Sequence, residues 1–331
     1  MFAITRNRFL GLAVAVAAGL FLSSAPVRAA DLPDSISIDW AYYNPVSILL
    51  KDKGWLEEEF AEEGVEIRWV LSLGSNKALE FLRGNSVQFG STAGSAALVG
   101  KAGGLPIKAI YAYSRPEWTA LVTRRDSGIT SLQDLQGKSV AVTRGTDPHI
   151  FLLRALDLVD LSEKDIQPVL LQHPDGYRAL TSGQVDAWAG LDPHMAQAEL
   201  ESDALLFFRD PSLNTYGILN VREDFASDHP DAVERVLAVY ERARNYALEH
   251  PEELRDHLVE AAKIEPAVAQ RQLDERTDLS TPALGQAHRD TFTATGEILQ
   301  KIGIIESDLD IAQLVNDLID DSHFTHVVAS R

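Results

Sequence analysis

The sequence predicts an α/β protein of two lobes, each a mostly parallel sheet flanked by helices, with a ligand cleft between them. Three observations carry this. Short strand patterns alternate with helical ones from Ser35 to Thr123, the alternation restarts at Ser131, and the chain beyond Asp228 is mostly helical in pattern. A chain of 331 residues also fits two domains by size.

The elements follow in order. Ser35 to Trp40 alternates as a strand. Tyr42-Tyr43-Asn44-Pro45 then opens a helix through Leu50, with Asn44 suited to the N-cap and Pro45 to the first helical position. Val65 to Leu71 is a second strand. The stretch from Ser72 to Val99 reads as loop, helix, short strand, loop and helix. Gly74-Ser75 precedes the pattern Ala78, Leu79, Leu82, which stops at Gly84-Asn85. Val87 to Phe89 is the short strand, and Ser91 to Ser95 is a small-residue turn into an Ala-rich helix. Pro106 to Tyr113 is another strand, after which Ser114-Arg115-Pro116-Glu117-Trp118 leads into Thr119 to Thr123.

In the second half, Ser131 to Lys138 is a short capped helix and Ser139 to Thr143 a strand. Arg144-Gly145-Thr146-Asp147-Pro148-His149 opens a helix to about Leu158. Val169 to Gln172 and Val185 to Gly190 are strands around a helix over Asp175 to Ser182, and Asp192-Pro193 opens another helix. Leu82…Val87-Gln88 and Leu180…Val185-Asp186 share one spacing, which suggests similar lobes. From Asp228 a stripe at Val233, Val236, Leu237, Tyr240 and Ala243 marks helices with no room for a third sheet. They are expected to pack on the first lobe. The domains are then residues 30–123 with 221–331 as lobe 1 and 124–220 as lobe 2, the chain crossing near Thr123 and Asn220.

Met1 to Ala29 reads as a secretory signal peptide. It has Arg6 and Arg8, an apolar core from Phe9 to Phe21, and small residues Val27 and Ala29 before the expected cut. The apolar run is short for a membrane span. With no cysteine in the chain, a lipidated N-terminal cysteine, disulfides and thiol chemistry are excluded. The formal charge is −19, and the leader's three arginines leave the rest more acidic still. Such a surface disfavours nucleic acid and anionic membranes as partners, while a small anion can still be held by local dipoles.

Helix starts with small or capping residues at Asn44, Ser75, Ser95, Asp147 and Asp192 all follow strands or strand-end loops. Backbone N–H groups there can hold an anion, and such loops face the crevice of parallel α/β sheets. Ordinary capping accounts for any one of them alone. Asp147 and Asp192 are the awkward members, because a carboxylate repels an anion unless cap bonds satisfy it or a cationic ligand group faces it. Tyr42, Tyr43, Trp118 and Trp188 lie near the same loops. Enzyme signals are poor. Gly137-Lys138-Ser139 lacks the earlier glycine of a phosphate loop and leads into a strand. No G-x-G-x-x-G, H-E-x-x-H or G-x-S-x-G occurs, and His149 and His194 are too thin a basis for a metal site.

The chain resembles the solute-binding proteins of ABC importers, in particular the aliphatic-sulfonate-binding and taurine-binding family. The resemblance spans essentially the whole chain behind the leader. It is carried by Tyr43-Asn44-Pro45, Gly64 to Trp69, Phe89 to Gly94, Leu132 to Val142, Arg144 to His149, and Val185-Asp186-Ala187-Trp188 with Asp192-Pro193. The Asp134-Leu-Gln-Gly137-Lys138 segment is common to many binding proteins of this fold; the Gly145-Thr146…His149 and Trp188…Asp192-Pro193 segments are more particular to sulfonates. The Ser114 to Trp118 segment is less typical.

The resemblance implies a type II periplasmic binding fold that closes on its ligand. It implies a monomer in the periplasm that delivers to an inner-membrane permease with a cytoplasmic ATPase, with no cofactor or metal and no bond made or broken. The ligand site it implies comprises Tyr43, Asn44, Gly74, Ser75, Thr92, Gly94, Ser95, Glu117, Trp118, Gly145, Thr146, Asp147, His149 and Asp192. Backbone N–H groups of Ser75, Ser95 and Thr146 and the hydroxyls of Ser75, Thr92, Ser95 and Thr146 would take the anion, with Tyr43 and Trp118 against the organic part. Taurine, nitrate or a thiamin-precursor pyrimidine remain alternative ligands. A sensor role or an enzyme on the same fold remain alternative functions. A related branch that makes the thiamin pyrimidine carries a cysteine-rich motif that this chain lacks. The intact mass of the exported protein is expected to correspond to a chain starting at Ala30; an uncleaved membrane-bound product would overturn the export reading.

Overall fold

The computed structural model describes Met1 and residues 32–329. The expected signal peptide falls almost wholly outside the described residues. The described residues from Leu32 on form one compact unit. No helix among the described residues is long and apolar enough to cross a membrane.

The chain opens with β1 (Ser35–Trp40), α1 (Pro45–Lys53), α2 (Trp55–Glu59), β2 (Glu66–Leu71), α3 (Ser75–Arg83), β3 (Phe89–Ala93), α4 (Gly94–Ala102) and β4 (Ile107–Pro116). It then builds β5 (Leu121–Arg124), β6 (Ser139–Val142), α5 (Asp147–Asp157), β7 (Gln167–Leu170), α6 (His173–Thr181), β8 (Ala187–Ala189), α7 (His194–Glu201) and β9 (Ala204–Phe208). It returns through β10 (Gly217–Arg222) to α8 (Glu223–Asp228), α9 (Pro230–Glu249), α10 (Pro251–Ala262), α11 (Pro266–Arg276) and β11 (Thr277–Asp278). It ends with α12 (Gln286–Lys301), α13 (Ile311–Leu318) and α14 (Ser322–Ala329). Proline at the first helical position starts α1, α9, α10 and α11, where a missing N–H costs nothing.

Two sheets result, with strand orders β11-β4-β10-β3-β1-β2 and β7-β6-β8-β5-β9. In the first, β1 runs parallel to β2 and β3, and β10 runs antiparallel to both β3 and β4. In the second, β6 is parallel to β7 and β8, and β5 is antiparallel to β8 and β9. Each sheet is therefore mostly of one direction, with an inverted strand that arrives directly from the other sheet, and the two-residue β11 at the edge of the first sheet also runs against β4. A chain leaving one sheet at its carboxyl edge and entering the next from its carboxyl edge must run against its new neighbours. The inversions thus aim the carboxyl ends of both sheets at each other.

The crossings differ from the expected ones. The chain passes between sheets within 117–120 and returns within 209–216, whereas Thr123 and Asn220 lie inside β5 and β10. Inverted strands carry no local sequence mark, so the change of sheet is not visible in their pattern. β9 and β10 are strands that the sequence pattern does not announce. β3 also runs on to Ala93, so Ser91 and Thr92 are buried strand residues, not a turn.

Both faces of the second sheet are covered. Val140, Val142, Ala187 and Ala189 join one apolar cluster with Phe151 and Leu156, while Ala141 and Trp188 join another with Val122 and Leu180. That alternation along β6 and β8 is what a sheet with helices on both faces requires. The matched spacing in the two halves also has a physical counterpart. The Gln88 side chain accepts from Ser37 N at 2.7 Å beside β1, and the Asp186 carboxylate accepts from Ser139 N at 2.8 Å beside β6. In each half the residue after the buried valine ties a later strand to the start of an earlier one.

Helix α9 packs on α1, α2 and α14, and α12 and α13 pack on α4. Gly94 belongs to this packing. A Cβ placed there would lie 2.3 Å from the Phe292 ring of α12, so its small size admits a neighbouring helix. Gly94→Ala is expected to destabilise the protein by about 1–3 kcal/mol in chemical denaturation, as overpacked cores do. Gly94→Ala with Phe292→Leu should recover part of that loss.

Candidate functional site

The expected binding residues sit at the facing carboxyl ends, and most are buried. The arrangement centres on Asp147, the first residue of α5, which is 2% exposed. Its Oδ1 accepts from the hydroxyl of Ser95 and from that of Thr215 at 3.0 Å. Its Oδ2 accepts from Trp118 Nε1 at 2.8 Å and from Thr215 N at 3.2 Å. Ser95 opens α4 beside the first sheet, while Trp118 and Thr215 stand on the two crossings. One carboxylate from the second sheet is thus gripped from three other segments. Trp118 in turn meets Tyr43 edge-on, with ring centroids 6.0 Å apart.

The remaining candidates divide. Tyr43 Oη donates to Ser91 O at 3.0 Å, and Asn44 Nδ2 donates to Ser91 Oγ at 2.8 Å while its Oδ1 caps α1 through Ser47 N. Ser75 Oγ accepts from Ala93 N at 2.9 Å, and Thr92 Oγ1 accepts from Asn220 Nδ2 at 2.8 Å. These groups fasten the first sheet to its own helices and strands. Ser95 N donates to Thr215 Oγ1 at 3.2 Å, and Thr146 Oγ1 donates to Thr143 O at 2.7 Å. The Ser95 amide and the Thr146 hydroxyl, both expected to meet the anion, therefore bond within the protein.

Glu117 and Asp192 have arginine partners. Arg209 Nε donates to Glu117 Oε1 at 2.7 Å. Arg276 Nη1 lies 3.2 Å from Asp192 Oδ1, both side chains being 1% exposed, and its Nη2 bonds Glu199 at 2.6 Å. Asp192 Oδ1 also caps α7 by accepting from Ala196 N at 2.8 Å. Burial pushes the Asp192 carboxyl up to about 6 despite Arg276, so at neutral pH it is charged and paired. His149, in the first turn of α5, faces an acidic neighbour. Its Nε2 is 3.6 Å from Glu163 Oε1, and burial holds its pKa below the ordinary value.

Gly74 and Gly145 frame a second contact between the two halves. A Cβ on Gly74 would meet Asn76 Oδ1 at 2.9 Å and the His173 ring at 3.3 Å, and one on Gly145 would meet Asn76 Cβ at 3.7 Å. Asn76 Oδ1 and both ring nitrogens of His173 are buried with no hydrogen-bond partner in the protein, as are Ser72 Oγ, Thr119 Oγ1 and Gln172 Oε1. All lie in segments just beyond strand ends. Buried polar groups are normally satisfied, and of these Asn76 and His173 share one neighbourhood at Gly74.

Thr215, Arg276, Asn76 and His173 are the residues that sequence reasoning missed. Arg276 at the end of α11 and Thr215 in a connection carry no motif; their roles arise from long-range packing. A cavity of about 530 Å³ lies beside the crossings, lined in part by Arg115, Glu117, Asn214, Thr215 and Asp278. It borders the Asp147 cluster through Thr215. No group of three or more His, Asp or Glu among the described residues is placed to hold a metal.

Burial drives the His173 pKa down to about 3, with His194 adding a smaller push. The unfolded chain takes up this proton near pH 6.5 and the folded chain does not, so stability is lost as pH falls from about 6.5 towards 3. His173→Gln lacks this penalty. Its stability relative to wild type is expected to improve by about 2 kcal/mol between pH 7 and pH 5 in urea denaturation. A pH-independent difference would show that His173 takes up its proton in the folded state as readily as in the unfolded one.

The sequence profile of the family described as "NMT1/THI5 like" matches residues 47–254. A putative aliphatic sulfonates-binding protein of Bacillus subtilis (strain 168) is 29% identical over 212 residues, covering 63% of this chain and 64% of that protein. The match thus spans just under two thirds of that relative's length. A protein of the same description from Escherichia coli (strain K12) is 28% identical over 232 residues, 70% of this chain and 72% of its own. Among solved structures, the alkanesulfonate-binding protein SsuA from Xanthomonas axonopodis pv. citri, bound to MOPS, superposes with a TM-score of 0.79 at 22% identity. That alignment covers 88% of this chain and 99% of SsuA. The desulfurization enzyme DszB aligns with a TM-score of 0.65 at 14% identity, covering 90% and 99%. The two-sheet architecture is thus the one seen in the SsuA binding protein, and the chain belongs to the NMT1/THI5-like family.

Proposed function

We propose that this protein is the solute-binding component of an ABC importer, capturing an aliphatic sulfonate in the periplasm for sulfur uptake. The observation that carries the reading is the donor set now gathered on Asp147. A serine hydroxyl, an indole N–H, and the hydroxyl and amide of one threonine converge on the oxygens of a single oxyanion. Neutral donors of this kind suit a sulfonate, whose charge is spread over three weakly basic oxygens. The names of the relatives support the same ligand class. Glu117 and Asp192 are engaged by arginines, which favours a plain alkanesulfonate over an amino-sulfonate that would need a free carboxylate.

In this reading the first sheet with its helices, 32–116 and 217–329, and the second, 121–208, are two lobes. The crossing segments are the hinge, and Tyr43 and Trp118 supply an apolar wall. No bond is made or broken, and the absence of cysteine agrees with a role in binding. The closed lobes would dock, as a monomer, on an inner-membrane permease driven by a cytoplasmic ATPase.

A ligand that binds only the folded protein adds about 2.7 kcal/mol at one hundred times its dissociation constant. A thermal-shift panel of alkanesulfonates, taurine, nitrate, sulfate and thiamin precursors is expected to single out the alkanesulfonates. A shift with nitrate or a pyrimidine and none with sulfonates would overturn the ligand class.

A further inference from the structure

The oxyanion donors of the cleft are held by a part of the chain itself. Both carboxylate oxygens of Asp147 are engaged, and the donors come from α4 and from both crossings, whereas Asp147 belongs to the second sheet's own helix α5. We propose that Asp147 is a tethered surrogate for the ligand's anionic head, which holds the lobes together without ligand and must leave the cradle before a sulfonate enters. This rests on the reading of the cleft as a sulfonate site.

Two features separate Asp147 from an ordinary structural carboxylate. Asp192 and Glu117 stand opposite arginines, so their sites are built for a negative side chain. All four donors to Asp147 are neutral, and nothing in their chemistry distinguishes a carboxylate from a sulfonate. Second, the Asp147 side chain closes no hydrogen bond of its own helix. Its bonds run to Ser95, Trp118 and Thr215, and Thr146 at the N-cap turns its hydroxyl to Thr143 O. Its carboxylate can therefore swing away without breaking a hydrogen bond of the first turn. The Arg154 guanidinium, two turns along the same helix, feels the Asp147 charge and has an unpartnered Nε. Two anions cannot share one set of donors, so ligand and Asp147 exclude each other. Affinity for a sulfonate is then set partly by how firmly the resident carboxylate is held.

The test uses the mature chain as wild type, Asp147→Asn and Asp147→Ala, with circular dichroism confirming the fold. Small-angle scattering without added ligand should give a larger radius of gyration for Asp147→Ala than for wild type. Calorimetric titration should show ethanesulfonate binding Asp147→Ala about tenfold more tightly. Asp147→Asn, close in shape to wild type, should move in the same direction and covers the case in which the alanine variant fails to fold. Unchanged scattering, or weaker ethanesulfonate binding, overturns the proposal. Loss of taurine binding with ethanesulfonate unaffected also overturns it, by making Asp147 a receiver for an ammonium group. If no sulfonate binds wild type or variants, the ligand reading fails, while the scattering comparison still decides whether Asp147 holds the lobes together.

Discussion

A carboxylate removed from water must be met by hydrogen bonds or by an opposite charge, and the junction between the two sheets is arranged around that requirement. Asp147 is met by neutral donors on Ser95, Trp118 and Thr215, and Asp192 by Arg276. Both sets of contacts reach across from one sheet's segments to the other's. Helix α11, which carries Arg276, packs on α7, so the Asp192 pair also fixes where a helix late in the chain rests on the second sheet. Apolar contacts also cross the junction, Leu191 and Ala196 joining Tyr43 and Leu273 in one cluster and Ile150 joining Leu98 and Phe292 in another, and these polar contacts lie among them.

The two kinds of contact have different consequences. A buried arginine–carboxylate pair is costly to break, because the partner left behind is an uncompensated charge. Bonds from neutral donors are individually modest and exchangeable between oxyanions. A junction with a charge-paired side at Asp192 and a neutral-donor side at Asp147 therefore has one part suited to stay closed and one suited to be remade. That division fits a protein that must bind an anion selectively and still release it.

Where Gly74 and Gly145 approach Asn76, buried polar atoms lack protein partners, among them Asn76 Oδ1 and both nitrogens of His173. A neutral imidazole beside an unpaired amide oxygen offers both donor and acceptor capacity without adding charge. The direct donors to Asp147 are likewise neutral, and the nearest cationic influence on it is the Arg154 guanidinium further along α5.

Much of the fold was legible in the chain. The strand and helix alternation, the Asn44-Pro45 cap, the Gly84 stop and the helical region after Asp228 are local features, set by periodicity and capping chemistry, and they appear close to their expected places. The candidate site was legible only as a neighbourhood. Ser95, Trp118 and Asp147 do meet, but Glu117 and Asp192 are taken by arginines, Gly94 serves packing, and His149 faces Glu163. Thr215 and Arg276, whose side chains complete those contacts, lie in stretches without a motif, and the inverted strands β5 and β10 resemble any short apolar run. The sequence by itself determined most of the strands before Gly190, which helix starts carry small or acidic residues, and that thiol chemistry is excluded. Only the tertiary structure decided that the Asp147 carboxylate is met by Ser95, Trp118 and Thr215, because which donors face which acceptors depends on distant segments meeting at one junction, Ser95 and Thr215 being 120 residues apart.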